Sequence, residues 1–238
     1  VEARGAKYVV FCGVHFMAES ADLLTPDDVS VVLPDLSAGC SMADMAAYDD
    51  AVEAWELIHE SLAGQGWRGR IIPVTYINST AAIKAFVGRN GGIVCTSSNA
   101  RTIFDWAMAG GVTPRRAEED VKLLFLPDQH PGRNTAAAYG LDVEKQTCVY
   151  DPRLMRKGAP LGGATPETLM ASSVILWAGH CSVHRLFRPD HCDELRRAEP
   201  DRRILVHPEC VNEVVDRADL SGSTEFIRKT LAAATPGS

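Results

Sequence analysis

Short apolar runs recur along this chain, and each stops abruptly in polar or small residues before a segment of helical spacing begins. "YVVFCGVHFMAESADLL", "VVLPDLSAGCSMADMAAY", "IIPVTYINSTAAIKAF" and "GGIVCTSSNARTIFDW" show the pattern. "LLFLPDQHPGRNTAAAY", "VILWAGHCSVHRLF" and "ILVHPECVNEVVDRA" repeat it. This alternation predicts β-α units on parallel sheets. Capping residues stand where the helices should begin: Ser79 and Thr80, Ser98 and Asn99, Ser223 and Thr224. After Cys210, residues Val211, Val214, Val215 and Ala218 fall at helical spacing.

Three of the runs, "VVLPD", "LFLPD" and "LVHPE", place a proline and then an acid at the end of the apolar stretch. Such internal similarity suggests several small domains of one β-α type. The stretch from Val149 to Ala171 breaks the alternation and is rich in Pro and Gly. It reads as an excursion between a short strand at Thr147 to Tyr150 and the strand before Cys181. It is expected to be a surface loop from about Asp151 to Ala171, with at most a short helix from about Pro166, clear of any active cavity.

Composition narrows the function. The 238 residues are 46% hydrophobic and 23% charged, ordinary values for a globular protein able to bury a core. A net charge of −7 argues against a general nucleic-acid or acidic-membrane binder. No apolar run approaches the ~20 residues that span a bilayer. The start, "VEARGAKYVVFCGVHF", lacks a signal-peptide layout and an initial Met, and the end, "AAATPGS", follows a helix-like segment, so both ends read as cut. Seven cysteines, an odd number spread over the chain, fit a reducing, cytoplasmic compartment better than a disulfide framework. Most of them read as small buried hydrophobes.

In open α/β sheets, ligands bind beyond the carboxyl ends of the strands, and reactive residues collect there in this chain. The predicted strand ends offer Cys12 and His15, then Cys40, then Tyr76 and Asn78, then Thr96 and Ser97. They continue with Asp128 and His130, then His180, Cys181 and His184, then His207, Glu209 and Cys210. Cys181 with His184 and His207 with Cys210 are both i, i+3 pairs, which would suit a tetrahedral zinc and a zinc hydrolase. Thiolates from distant segments would equally suit an iron–sulfur cluster. A buried structural thiol at Cys181 is the third alternative, and spacing does not decide among them. His59 reads as a surface residue, His191 and Cys192 as part of a solvated charged face, and Cys148 as core. Nucleotide-loop and nucleophile-elbow motifs are absent from the sequence.

Seven motifs, "FCGVHFMAESADLL", "LPDLSAGCSMADM", "YINSTAAIKA", "VCTSSNA", "FLPDQHPGRN", "WAGHCSVHRLF" and "VHPEC", in this order, resemble quinolinate synthase, and the excursion before "GHCSVH" resembles its longer bacterial form. The resemblance implies an enzyme of NAD biosynthesis that condenses iminoaspartate with dihydroxyacetone phosphate. It implies repeated three-layer αβα domains with parallel sheets around a pseudo-threefold axis, the third repeat incomplete. The implied divisions are 1–40, 41–180 and 181–238. A central [4Fe–4S] cluster would use one iron as a Lewis acid. Cys40 and Cys181 would be two of its ligands, with a third cysteine expected downstream of "HPEC". Tyr76, His207 and Glu209 would do acid–base chemistry. Asn78, Ser97, His184, Ser223 and Thr224 would contact substrate, the last two through hydroxyl and backbone N–H groups. An upstream segment bearing a His, a Tyr and a Ser is also expected, and Pro131 stands where the family usually has Leu. Functional coupling to an aspartate oxidase or dehydrogenase is implied, with no nucleic-acid or membrane partner. A non-catalytic family remnant is the other alternative. Geometrically, Cys40 and Cys181 should converge unbridged on one cavity, with Cys12, Cys95 and Cys148 buried in apolar surroundings.

Overall fold

The computed structural model describes residues 5–235, so the first four and last three residues lie outside it. β1 (Tyr8–Val10) pairs in parallel with β2 (Ser30–Val32), and α1 (His15–Leu24) connects them. The long helix α2 (Tyr48–Gly64) leads into β3 (Gly69–Tyr76), followed by α3 (Ala81–Arg89), β4 (Ile93–Cys95), α4 (Ala100–Met108) and β5 (Asp120–Leu126). Next come α5 (Gln129–Tyr139), α6 (Val143–Gln146), β6 (Thr147–Tyr150), α7 (Pro152–Met155), α8 (Pro166–Ala171) and β7 (Val174–Trp177). The last part holds α9 (Pro189–Ala198), β8 (Leu205–Val206), α10 (Asn212–Arg217), β9 (Leu220–Ser221) and α11 (Thr224–Ala233).

Five strands form a parallel sheet in the order β4-β3-β5-β7-β6, and β8 pairs with β9 in a third, two-stranded sheet. Alternation along each central strand decides which helices cover which face, because successive side chains point to opposite sides. Ile71 of β3, Leu124 and Leu126 of β5, and Ile175 and Trp177 of β7 meet α2, α3 and α8. Ile72, Val74 and Tyr76, then Val121, Leu123 and Phe125, then Val174 and Leu176, meet α4 and α5 on the other face. Helix α2 presents the stripe Ala51, Ala54, Ile58 and Leu62, all fully buried. The result is three layers, helix on sheet on helix, as the alternating pattern predicts.

The chain moves outward from β3 to β4, then returns to place β5 on the other side of β3. That reversal opens a crevice at the carboxyl ends of β3 and β5, the usual place for a ligand in such a sheet. The end of β3 and the end of β5 therefore stand side by side, with Thr75 opposite Leu126, although they are far apart in sequence.

The excursion departs from expectation. It holds α7 as well as α8, and Tyr150, Met155 and Leu169 join the core on the α2 side of the sheet. The apolar residues at 155 and 169 are the reason: a surface loop would have left them in water. Arg153, at the start of this segment, lines a cavity with His130 and His180 beside the strand ends, whereas none of residues 151–171 lines the separate cavity of Tyr76 and Ser97. Cys192 departs too: it is buried against Ile204, Cys210 and Val214, because α9 turns one apolar edge inward.

Inside the core, Lys122 of β5 is 2% exposed. Its ammonium donates to the carbonyls of Met170 (2.8 Å) and Ser172 (2.7 Å) and lies over the Trp67 ring. It ties β5 to the end of the excursion. Lys122→Ala should therefore cost about 2–4 kcal/mol, from two stranded carbonyls and an unfilled stem cavity. Lys122→Met, which keeps the stem, should recover part of that loss; urea denaturation of both variants measures it.

Candidate active site

The crevice is assembled from the ends of β3, β4, β5, β7 and β8. A junction between β5 and β7 comes first. Asp128, fully buried, accepts the His130 N–H at Oδ1 (2.8 Å) and the Cys181 N–H at Oδ2 (3.1 Å). One carboxylate thus caps α5 and holds the loop that presents Cys181. Gly179 makes the approach possible: a Cβ there would lie 1.9 Å from the Pro127 carbonyl oxygen. Burial raises the Asp128 carboxyl to about 8, against the pull of its two backbone donors.

Past that junction, Cys181, His184 and Glu209 come together, their ligand-type atoms all within 4.8 Å of one another. His184 Nδ1 lies 3.0 Å from Glu209 Oε2 but is out of line for a hydrogen bond, so the pair is close without being satisfied. The His184 and His207 rings stack at 5.0 Å. The Glu209 N–H donates to His207 Nδ1 (3.3 Å), which leaves the proton of the neutral imidazole on Nε2. Burial is the largest effect on both: it holds His207 below its usual value, and it would raise Glu209 if the two imidazoles did not outweigh it and keep that carboxyl low. Tyr76, 2% exposed, faces Ser97 and Glu209, and burial followed by the Glu209 charge pushes its phenol far above the ordinary value. At neutral pH the group therefore offers a carboxylate base, a neutral imidazole and a firmly protonated phenol around one point.

The other cysteine named from sequence arrives from the opposite side. The Asn78 amide donates to Cys40 Sγ at 3.8 Å, and Ser41 Oγ and Ser182 Oγ lie 3.3 Å apart. The Cys40 and Cys181 corners therefore meet across 141 residues, and both thiols are free and half-exposed. Ser97 and Tyr76 open onto a cavity of about 250 Å³ with Asn134, Pro208, Ser221 and Gly222. Ser223 and Thr224 are not in its lining: the Ser223 hydroxyl caps α11 by accepting the Phe226 N–H, and Thr224 is exposed.

The four residues proposed for zinc do not form one ligand set. Cys210 turns into the apolar cluster with Cys192 and Val214, and Glu209 joins Cys181 and His184 instead. The i, i+3 spacing of His207 and Cys210 lies in a turn, where helical geometry does not bring them together. Cys95 is buried as expected, whereas Cys148 is only half-buried at the margin of the core, beside Ser172 and Lys122. Cys12 is exposed, because it follows the edge of the two-stranded sheet rather than the central one. His59 is half-buried, its Nδ1 on the Trp55 carbonyl.

Asn134 went unnoticed in the sequence. Its amide donates to the carbonyls of Pro208 and Cys210, both at 2.8 Å, and its carbonyl accepts from Asn212 at 3.0 Å. It fastens the "HPEC" turn, and so Glu209, to α5. Its only trace in sequence is a polar residue on the buried face of a helix.

A family model described as quinolinate synthetase A protein matches residues 1–237. The chain belongs to this family. It is 58% identical over 98% of its length to a quinolinate synthase of Nocardioides sp., covering 56% of that protein. It is 50% identical to one of Streptomyces coelicolor over 98% of its length and 54% identical to one of Acidobacterium capsulatum over 93%, covering 55% of each. The chain thus spans a little over half the length of these curated relatives. Among the described residues, no helix is long and apolar enough to cross a membrane.

The junction makes a measurable demand on pH. Between 3.8 and about 8 the folded chain keeps a proton on Asp128 that the unfolded chain has released. Stability from this group therefore falls as pH rises through that window. Asp128→Asn removes the dependence, so the variant should gain on the parent by more than about 1 kcal/mol between about pH 5 and about pH 8. Paired urea titrations at the two pH values check it; a constant difference would show that Asp128 is ionised throughout.

Proposed function

We propose that the protein to which this chain belongs is a quinolinate synthase, a transferase of de novo NAD biosynthesis that condenses iminoaspartate with dihydroxyacetone phosphate. The observation that carries this reading is the placing of Glu209 among His184, His207 and Tyr76, immediately beside Cys181. A condensation that loses water needs a base to take a proton and acids to give one to the leaving oxygen. Glu209, held ionised, serves as the base. His207 Nε2–H and the Tyr76 hydroxyl would donate. Asn78, Ser97 and His184 would orient substrate at the strand ends. Ser223 and Thr224 would engage an anionic group at the start of α11, a role that requires this segment to approach the cavity more closely. The sheets β1-β2, β3 to β7 and β8-β9 are read as parts of three αβα units, 1–40, 41–180 and 181–238. The protein is placed in the cytoplasm, with functional coupling to an aspartate oxidase or dehydrogenase.

A [4Fe–4S] cluster completes this reading, with Cys40 and Cys181 as two of its ligands. The donor set supports it: two unbridged, half-exposed thiols brought to one place by distant strands, one of them receiving an amide N–H at sulfur. When bound, the cluster supplies a Lewis-acidic iron. Asp128 would fix the backbone of the Cys181 loop, and Asn134 that of the Glu209 turn. One observation favours a second reading, a single zinc ion on Cys181, His184 and Glu209.

Anaerobic purification of the full-length protein should yield iron and sulfide; zinc with neither would support the second reading. Cys181→Ser should lose the cluster's visible absorption with its far-ultraviolet circular dichroism unchanged. Glu209→Gln should keep that absorption and lose quinolinate formation by at least about a hundredfold. Turnover near that of the parent protein would remove Glu209 from the mechanism, and a cluster-free, inactive parent would mark a non-catalytic remnant.

A further inference from the structure

We propose that the same end of the central sheet carries a second site, a basic cavity that binds a small phosphate-class oxyanion. The cavity encloses about 330 Å³ between α5, the start of α7 and the loop after β7. Gln129, His130, Arg153, His180 and Arg185 line it with two apolar residues, and no carboxylate does. None of these residues lines the cavity of Tyr76 and Ser97. In a chain of net charge −7, this concentration of positive charge calls for a counter-charge.

The cationic groups are only partly occupied. Arg185 makes no ion pair among the described residues; its Nη1 lies 3.0 Å from His180 Nε2. A guanidinium only donates, so His180 Nε2 accepts there. Arg153 is held by Asp151 through Nε (3.0 Å) and Nη2 (2.8 Å), which fixes its plane and leaves Nη1 without a partner among the described residues. His130 Nδ1 is buried and unpartnered. Burial first, then the nearby positive charges of Arg133, His180 and Arg185, hold this imidazole down at about 4. Among the described residues, the opposing charge on it comes from Glu213.

The helix end itself contributes little. The Gln129 N–H goes to the Gly179 carbonyl and the His130 N–H to Asp128, and Pro131 has none. Recognition therefore falls to the side chains that line the cavity, two guanidinium groups and two imidazoles. Arg185 keeps its Nε–Nη2 edge, whose spacing matches two phosphate oxygens, and Arg153, its charge already met by Asp151, adds Nη1 as a further donor. This inference stands apart from the proposed reaction, because it concerns binding without turnover.

Isothermal titration of the full-length protein with inorganic phosphate and, separately, with glycerol phosphate tests it. Saturable binding is expected, weakened at least about tenfold by Arg185→Gln and again by Arg153→Gln. Both residues are exposed, so neither substitution threatens the fold, and thermal melting confirms that. Arg202→Gln removes the same charge from a surface pair with Glu199 and should change nothing. Tighter binding of glycerol phosphate would identify a phosphate monoester as the ligand, and tighter binding of inorganic phosphate the free ion; both support the site. Absence of saturable binding by either probe, or binding that survives both substitutions, overturns it.

Discussion

The crevice depends on one buried carboxylate. Asp128 joins the end of β5 to the end of β7, and it does so through backbone N–H groups, which cannot move without moving the strands. An uncompensated polar group at this depth would be costly. The close approach at Gly179 keeps both donors within reach of it. Cys181 and His184 follow within a few residues, so their positions are inherited from this junction. The strand alternation that buries Tyr76 on the α4 and α5 face supplies the opposite wall.

Electrostatics then sorts groups of similar type into different roles. Two carboxylates stand near one another, and their surroundings push them apart: Asp128 upward through burial, Glu209 downward through two imidazoles. The first keeps its proton near neutral pH, and the second gives its proton up more readily than an ordinary carboxyl. Such divergence between neighbouring titratable groups is how one crevice holds acid and base together. Histidines divide in the same way. His207 and His184 face Glu209, whereas His130 and His180 face arginines on the far side of the Cys181 loop.

Much of this was legible in the chain. Apolar runs of strand length separated by helical segments dictate parallel β-α units, because only helices can return the chain to start a parallel neighbour. Abrupt polar endings to those runs place Tyr76, Asn78, Ser97, Asp128, Cys181, His184, His207 and Glu209 at carboxyl ends of strands. Chemistry at those ends follows from the architecture itself. The order of seven motifs was enough for the family.

Pairing across the sheet was not legible. Local spacing suggested His207 with Cys210, but the turn sends Cys210 into an apolar cluster and Glu209 to the imidazoles. The burial of Cys192, the core role of Met155 and Leu169, and the clamp made by Asn134 all depend on which surface a helix meets. So does the basic cavity, whose arginines come from an excursion and from a loop more than thirty residues later. Sequence by itself determined the strands, their direction and the chemistry at their ends, because period and local composition act within a few residues. Strand order, and with it every partner across the crevice, was decided by tertiary structure alone, because the burial that selects it is shared among segments far apart in the chain.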